Sequence, residues 1–147
     1  MSYNETVVKE LLRVIPQTGK VEWIGIRSKK KSEITVLEKV SVEKGKGLKG
    51  EHFQGSISGK RQVTLIQKEH LDVVAGILGR MEIDPKLTRR NLVISGINLL
   101  SLKQQQFRIG DVVLETTGIC APAALWKKIS VLEATTRCGG MEGLRQR

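Results

Sequence analysis

Aromatic residues, cysteine and histidine are all scarce in this 147-residue chain. Aromatic residues make up only 3% of it, and proteins that bind single-stranded nucleic acid usually stack bases on aromatic rings, so that class is not favoured. The chain has two cysteines, two histidines and no Cys-x-x-Cys pair, which excludes a disulfide framework and a closed structural zinc site. No apolar run reaches membrane-spanning length, and the N-terminus lacks a signal-peptide pattern. We therefore expect a cytoplasmic protein that does not enter a membrane.

Positive charge is abundant, with a formal net charge of +10. Such an excess requires an anionic partner, which could be nucleic acid, a membrane surface or a phosphate-bearing small molecule. The densest basic run is 27–31, but it lies between two strand-like segments and can equally be a solvated loop tip. A basic, nucleic-acid-binding β-barrel is therefore an alternative hypothesis that only the charge supports.

Apolar periodicity predicts one domain made mostly of strands, with about three short peripheral helices. The chain does not show the regular alternation of strands and helices that builds a parallel sheet, so we expect an antiparallel, barrel-like β domain. Glycines are dense between 45 and 59, which indicates a loop with positive φ angles or a close approach to a ligand. The predicted strands are 20–26, 32–42, 61–67, 92–95 and 107–117, the last with a Gly-Asp turn near its start; the predicted helices are 2–15, 68–78 and 122–134.

Cys120 follows the last predicted strand and comes just before Pro122, which is suited to the first turn of a helix. The thiol would then lie near the positive end of a helix dipole, where its pKa falls and the reactive thiolate is favoured. Cytoplasmic thiols also stay reduced and available for chemistry. The alternative is that Cys120 is a small buried hydrophobic residue without a chemical role. His70 falls off the apolar face of its predicted helix, so we interpret it as a solvated residue and not as a ligand.

Four motifs occur in order along the chain, and together they resemble the MOSC family, whose domains are similar to the C-terminal part of molybdenum cofactor sulfurases. The resemblance extends from about Gly19 to Gly140 and indicates a standalone, bacterial-type member. It implies a β-barrel domain at 19–147 that lacks the family's closing C-terminal strand, and the apolar pattern before it predicts a helical extension at 1–18. The motifs are Gly47-Leu48-Lys49-Gly50-Glu51-His52, Arg61-Gln62-Val63-Thr64-Leu65-Ile66, Arg89-Arg90-Asn91-Leu92-Val93-Ile94-Ser95-Gly96 and Thr117-Gly118-Ile119-Cys120-Ala121-Pro122.

The resemblance implies that the protein works with the molybdenum cofactor, a phosphate-bearing pterin whose sulfurs hold molybdenum. Cys120 would be the catalytic residue, either as a ligand to molybdenum or as a carrier of sulfur for it. Reduction of N-hydroxylated compounds would need a redox partner protein, and sulfur transfer would need a sulfur-donor protein. Pyridoxal phosphate belongs to full-length family members, and its domain has no room in this chain. A homodimer is compatible with this interpretation.

The same resemblance assigns cofactor contacts to residues outside the cysteine motif. Arg61 and Arg89 would hold phosphate oxygens, and the amide of Asn91 would contact the pterin edge. Arg89 is preferred to Arg90 because strand alternation would place Arg89 and Asn91 on one face. The remaining assigned positions are Ser95, Gly47, Gly50 and Glu51.

Several positions leave alternatives open. Glu51 replaces the aspartate that is commoner in the family, and it can equally be a turn carboxylate that accepts backbone N–H groups. His52 is either a proton donor or a surface residue. Many relatives have a second cysteine where this chain has Ala123, and Cys138 is interpreted as structural or incidental. The missing closing strand keeps one further alternative open, a non-catalytic interaction module that has lost cofactor binding.

Overall fold

Eight short strands and one α-helix make up the part of the chain that the computed structural model describes, which is Val7, residues 18–52 and residues 61–119. The mainly β content is as predicted. The predicted helices at 2–15 and 122–134 lie outside the described residues, except for Val7. The strands are β1 (Lys20–Ile26), β2 (Thr35–Leu37), β3 (Val42–Glu43), β4 (Gly47–Leu48), β5 (Leu65–Gln67), β6 (Leu92–Ser95), β7 (Gln106–Ile109) and β8 (Val112–Glu115); the helix is α1 (Lys68–Leu78), and short 3-10 helices cover Pro85–Thr88 and Leu99–Leu102.

A four-stranded sheet with the order β2-β1-β6-β5 forms the centre of the described fold. Strand β1 is antiparallel to β2 and to β6, whereas β5 and β6 are parallel. The expectation of a purely antiparallel sheet was therefore wrong at one point. Two adjacent parallel strands need a crossover connection, and α1 provides it between β5 and β6. The segment β5-α1-β6 is therefore a βαβ unit. Strands β3 and β4 form one hairpin, β7 and β8 form another, and the described strands do not close into a barrel.

Helix α1 packs on this sheet through the apolar face that its sequence predicts. Leu71 and Ala75 are 2% and 1% exposed and pack with Ile83 and the fully buried Val93 of β6. The helix ends as predicted at Gly79, which adopts φ 65° and donates its N–H to the carbonyl of Gly76. Among the helices of the described ranges, none has the length and apolar character that a membrane crossing needs.

Three predicted strands have different bounds in the structure. The predicted strand 32–42 is split, because β2 pairs with β1 over only three residues and Val42–Glu43 pairs with Gly47–Leu48 instead. The predicted strand 61–67 is regular only at 65–67. The predicted strand 107–117 is a hairpin, since Gly110 takes φ 57° and the chain reverses there. The Gly-Asp turn, which was predicted near the start of one strand, in fact separates β7 from β8.

Candidate functional site

A cavity of about 670 Å³ lies beside β5, on the side of the β7–β8 hairpin. This volume is within the range of small-molecule binding sites. Consecutive residues of 61–67 form one wall, and 113–119 form another. The leucines of the 3-10 helix Leu99–Leu102 line it as well. The other lining residues are His70, Thr88, Arg90, Lys103 and Phe107.

The described lining of this cavity is cationic. Its charged side chains are Arg61, Arg90, Lys103 and Glu115, which are three cations and one anion, with His70 counted as neutral. Arg61 also has a backbone φ of 90°, which non-glycine residues rarely adopt. Strained conformations of this kind concentrate at ligand sites. The positive charge of the described lining favours an anionic ligand, and the backbone strain at Arg61 is typical of a ligand site.

Cys120, the central residue of the sequence-based hypothesis, lies outside the described residues. The described chain ends with Thr117, Gly118 and Ile119, and all three line the cavity. Cys120 is the next residue in the sequence. Within the described residues no group of three or more His, Cys, Asp or Glu side chains could hold a metal ion.

The structure separates the two arginines that the sequence analysis compared. Strand β6 begins at Leu92, so neither Arg89 nor Arg90 lies in a strand, and the argument from strand alternation was wrong. Arg89 is exposed, takes φ 55° at the end of the 3-10 helix Pro85–Thr88 and does not line the cavity. Arg90, which sequence reasoning set aside, does line it. Arg90 is held beside β5 because the backbone N–H of the next residue, Asn91, donates to the carbonyl of Thr64 at 3.0 Å.

The side chain of Asn91 is 7% exposed and makes four hydrogen bonds within the protein. Its Oδ1 accepts from the backbone N–H of Thr64 at 3.1 Å and from the Thr64 hydroxyl at 2.9 Å. Its Nδ2 donates to the Gly25 carbonyl at 3.2 Å and to Glu51 Oε2 at 3.0 Å. These contacts use both donors and both lone pairs of the amide. Asn91 therefore joins β1, the segment before β5 and the glycine-rich loop, and both ends of its amide are bonded within the protein.

Glu51 is 3% exposed and is the other half of this buried network. Its Oε2 also accepts the backbone N–H of Arg27 at 3.0 Å, as in the turn-carboxylate alternative. The backbone N–H of His52 in turn donates to the Arg27 carbonyl at 2.7 Å. His52 Nδ1 lies 2.6 Å from Glu51 Oε1, but the two atoms do not form a hydrogen bond. Glu51 does not line the cavity.

The other predicted cofactor contacts also lie away from the cavity. Gly47 takes φ 95°, and a Cβ there would lie 2.5 Å from the Gln62 carbonyl oxygen, so this glycine allows the loop to approach the segment before β5. Gly50 takes φ 88° and is exposed. Ser95 donates its hydroxyl to Glu22 Oε1 at 2.6 Å across β6 and β1. That hydrogen bond, with the nearby Lys20, holds the pKa of Glu22 below its ordinary value.

The site contains residues that the sequence patterns did not select. Lys103 follows a short 3-10 helix and carries no local signal of its role. His70 was interpreted as solvated because it lies off the apolar face of α1, and that same position brings it to the cavity. Strand β6 begins at Leu92 as predicted, so strand alternation should not have been extended back to Arg89 and Arg90. Of the predicted cofactor residues in the described ranges, Arg61 is the one that lines the cavity.

Comparison with known proteins agrees with the motifs. The model of the MOSC domain matches residues 49–130, which is more than half of the chain. The chain belongs to the MOSC domain family. The matched segment of this MOSC domain includes both long walls of the cavity and Cys120. The family is associated with molybdenum cofactor binding.

A solved structure supports the fold of this MOSC domain. The crystal structure of the YUAD protein from Bacillus subtilis is similar to it, with a TM-score of 0.61. The match covers 82% of this chain and 78% of that chain at 18% sequence identity. Similarity at this level of identity concerns the fold. No curated protein sequence matches the chain.

Proposed function

We propose that this MOSC-family protein binds the molybdenum cofactor in the cavity beside β5 and uses Cys120 as a molybdenum ligand or as a carrier of sulfur. The observation that supports this most is the cationic cavity whose wall at 117–119 leads directly into Cys120 in the sequence. The cofactor is anionic at its phosphate end, and the excess positive charge of the cavity suits such a ligand. Membership of the family makes this cofactor the first candidate.

The residues present fit the phosphate end of that cofactor. Arg61 precedes β5 and Arg90 precedes β6, and these parallel strands start at the same edge of the sheet. A planar guanidinium can bind two oxygens of a phosphate at once, so two arginines at one edge suit a phosphate group. When bound, the cofactor would supply a redox-active metal. The protein would hold its phosphate with Arg61 and Arg90 and would bring one thiol towards it.

Cys120 leaves two chemistries within this proposal. As a metal ligand it would belong to a reductase of N-hydroxylated compounds, which needs electrons from a redox partner protein. As a sulfur carrier it would receive sulfur from a persulfide donor. Both uses need the thiolate form. The two can be separated by incubating the protein with a labelled persulfide and measuring whether the label reaches Cys120.

The proposal is tested by measuring molybdenum and pterin per chain after anaerobic purification from the native host. Wild type is compared with Cys120→Ala, Arg90→Gln, Arg89→Gln and the control Lys30→Gln, which changes an exposed loop lysine by the same charge. We expect Arg90→Gln to lose most of the pterin and Lys30→Gln to keep it. Cys120→Ala should lose molybdenum or transferable sulfur. A wild type that never carries pterin, molybdenum or sulfur would contradict the proposal.

The pair Arg89→Gln and Arg90→Gln distinguishes the structure from the sequence pattern. The two substitutions remove the same charge at adjacent positions, but only Arg90 lines the cavity. If the cavity holds the phosphate, Arg90→Gln has the larger effect on pterin content. A larger effect of Arg89→Gln would show that the motif-based choice was right and that the phosphate lies elsewhere.

A further inference from the structure

The cavity beside β5 has two chemically different ends. Arg61 and Arg90 lie near the start of β5, where Asn91 is bonded to Thr64. At the other end of β5 the backbone N–H of Leu99 donates to Gln67 Oε1 at 3.1 Å, which fixes the 3-10 helix Leu99–Leu102 there. A strand rises by about 3.3 Å per residue, so Thr64 and Gln67 are separated by roughly 10 Å.

Apolar side chains collect in this cavity although they are accessible to solvent. Leu100, Val113 and Ile119 are 58%, 56% and 70% exposed, and all three line it. Single exposed apolar residues need no explanation, but a group of them around one concave surface is typical of a ligand site. The side chains of Leu102 and Phe107 extend the same apolar lining.

The charges near this lining do not favour a charged ligand. Among the described residues, the lining segments that carry the apolar side chains contribute one cation, Lys103 after the 3-10 helix, and one anion, Glu115 in β8. The positive excess of the cavity comes from Arg61 and Arg90, at the start of β5. A ligand held by Leu100 and Val113 would therefore gain from apolar contact, at about 25 cal/mol for each Å² removed from water, and would gain little from charge.

We propose that the apolar lining of the cavity, which includes Leu100 and Val113, is a subsite for an uncharged, apolar organic compound. The 3-10 helix that carries Leu100 is fixed at Gln67, at the opposite end of β5 from Arg61 and Arg90, so an apolar ligand there would not compete with a phosphate held by the arginines. The claim that this compound is the substrate rests on the proposed function. The claim that the subsite binds an apolar compound does not. The substrate class is then an apolar organic molecule.

The subsite is tested with N-phenyl-1-naphthylamine, a neutral probe that becomes fluorescent when it leaves water. Val113→Thr places a hydroxyl in the subsite with little change of shape, and Val73→Thr makes the same change at a residue of α1 that is 60% exposed and lies outside the cavity. Leu100→Gln and Ile77→Gln form a second matched pair, since Ile77 is 69% exposed on α1. Because these residues are exposed, loss of folding is not expected, and circular dichroism checks it.

We expect saturable binding of one probe per chain in the wild type, with affinity lower by about fivefold in Val113→Thr and about tenfold in Leu100→Gln. Val73→Thr and Ile77→Gln should bind as the wild type does. Inorganic pyrophosphate should leave probe binding unchanged, because its charge suits the arginines at the other end. Equal losses in the control variants, or the absence of saturable binding in the wild type, would overturn the subsite.

The outcome is separable from that of the proposed function. Pterin and molybdenum are measured on the same preparations, so a chain without pterin that shows the expected probe affinities keeps the subsite and loses the cofactor. A chain with pterin but without the Leu100 and Val113 effects keeps the cofactor and loses the subsite. A change of oligomeric state in Leu100→Gln, measured by sedimentation, would identify the apolar lining as a protein interface and would also overturn the proposal.

Discussion

Removal of the Asn91 side chain should destabilise the fold more than it affects any ligand directly. Asn91→Ala breaks four hydrogen bonds in a position that is 7% exposed, and one of the four reaches the buried carboxylate of Glu51. A neutral hydrogen bond contributes about 0.5–1.5 kcal/mol net, and a bond to a charged group about 1.5–3 kcal/mol. Since such terms are not additive, we expect the free energy of unfolding to fall by about 4 kcal/mol.

Urea unfolding measures this change. With a slope of about 2 kcal/mol per molar urea, a loss of about 4 kcal/mol lowers the midpoint by about 2 M. Asn98→Ala is the matched control, because the exposed Asn98 accepts one hydrogen bond, from the backbone N–H of Leu100 at 3.1 Å, and should cost about 1 kcal/mol. If Asn91→Ala instead unfolds within about 1 kcal/mol of the wild type and loses its pterin, the residue is a ligand contact and the structural account is refuted.

Two further predictions concern backbone and charge. Gly47→Ala should destabilise the chain by more than Gly45→Ala, because a Cβ at Gly47 would meet the Gln62 carbonyl at 2.5 Å, whereas Gly45 has positive φ and open space; urea midpoints that do not differ would contradict this. The pKa of Glu22 is held below its ordinary value of 4.5 mainly by the hydrogen bond from Ser95. The ionised carboxylate therefore stabilises the fold at pH values above 4.5, and this stabilisation is lost as the pH falls through the lower pKa of the folded state. Ser95→Ala should therefore raise the pKa of Glu22, as followed by NMR titration, and an unchanged titration would count against the hydrogen bond.

Elements with a strong local pattern were predicted well. Helix α1 has the predicted bounds because its apolar residues repeat with helical period and Gly79 can take the left-handed conformation that ends it. Strands β1 and β6 also have their predicted bounds, 20–26 and 92–95. Local alternation does not say which strand is the partner, however. For this reason the segment 32–42 was predicted as one strand although its two ends pair with different partners.

The candidate site depended more on tertiary contacts than on local pattern. Arg61 was predicted and lines the cavity, whereas Arg90, His70 and Lys103 reach it through the parallel pairing of β5 with β6 and the placement of the 3-10 helix. Neither feature has a local sequence signal. Asn91 was recognised from a motif, but the motif does not say whether its amide faces a ligand or the interior.

The central claim is that the arginines at the start of β5 and β6 hold the phosphate of a pterin. The most direct measurement is the amount of pterin bound per chain in the double variant Arg61→Gln/Arg90→Gln, purified anaerobically beside the wild type. We predict close to one pterin per wild-type chain and a loss of at least about tenfold in the double variant, since charge-assisted bonds to phosphate contribute about 1.5–3 kcal/mol each. Equal pterin in both proteins, or none in either, would contradict the account.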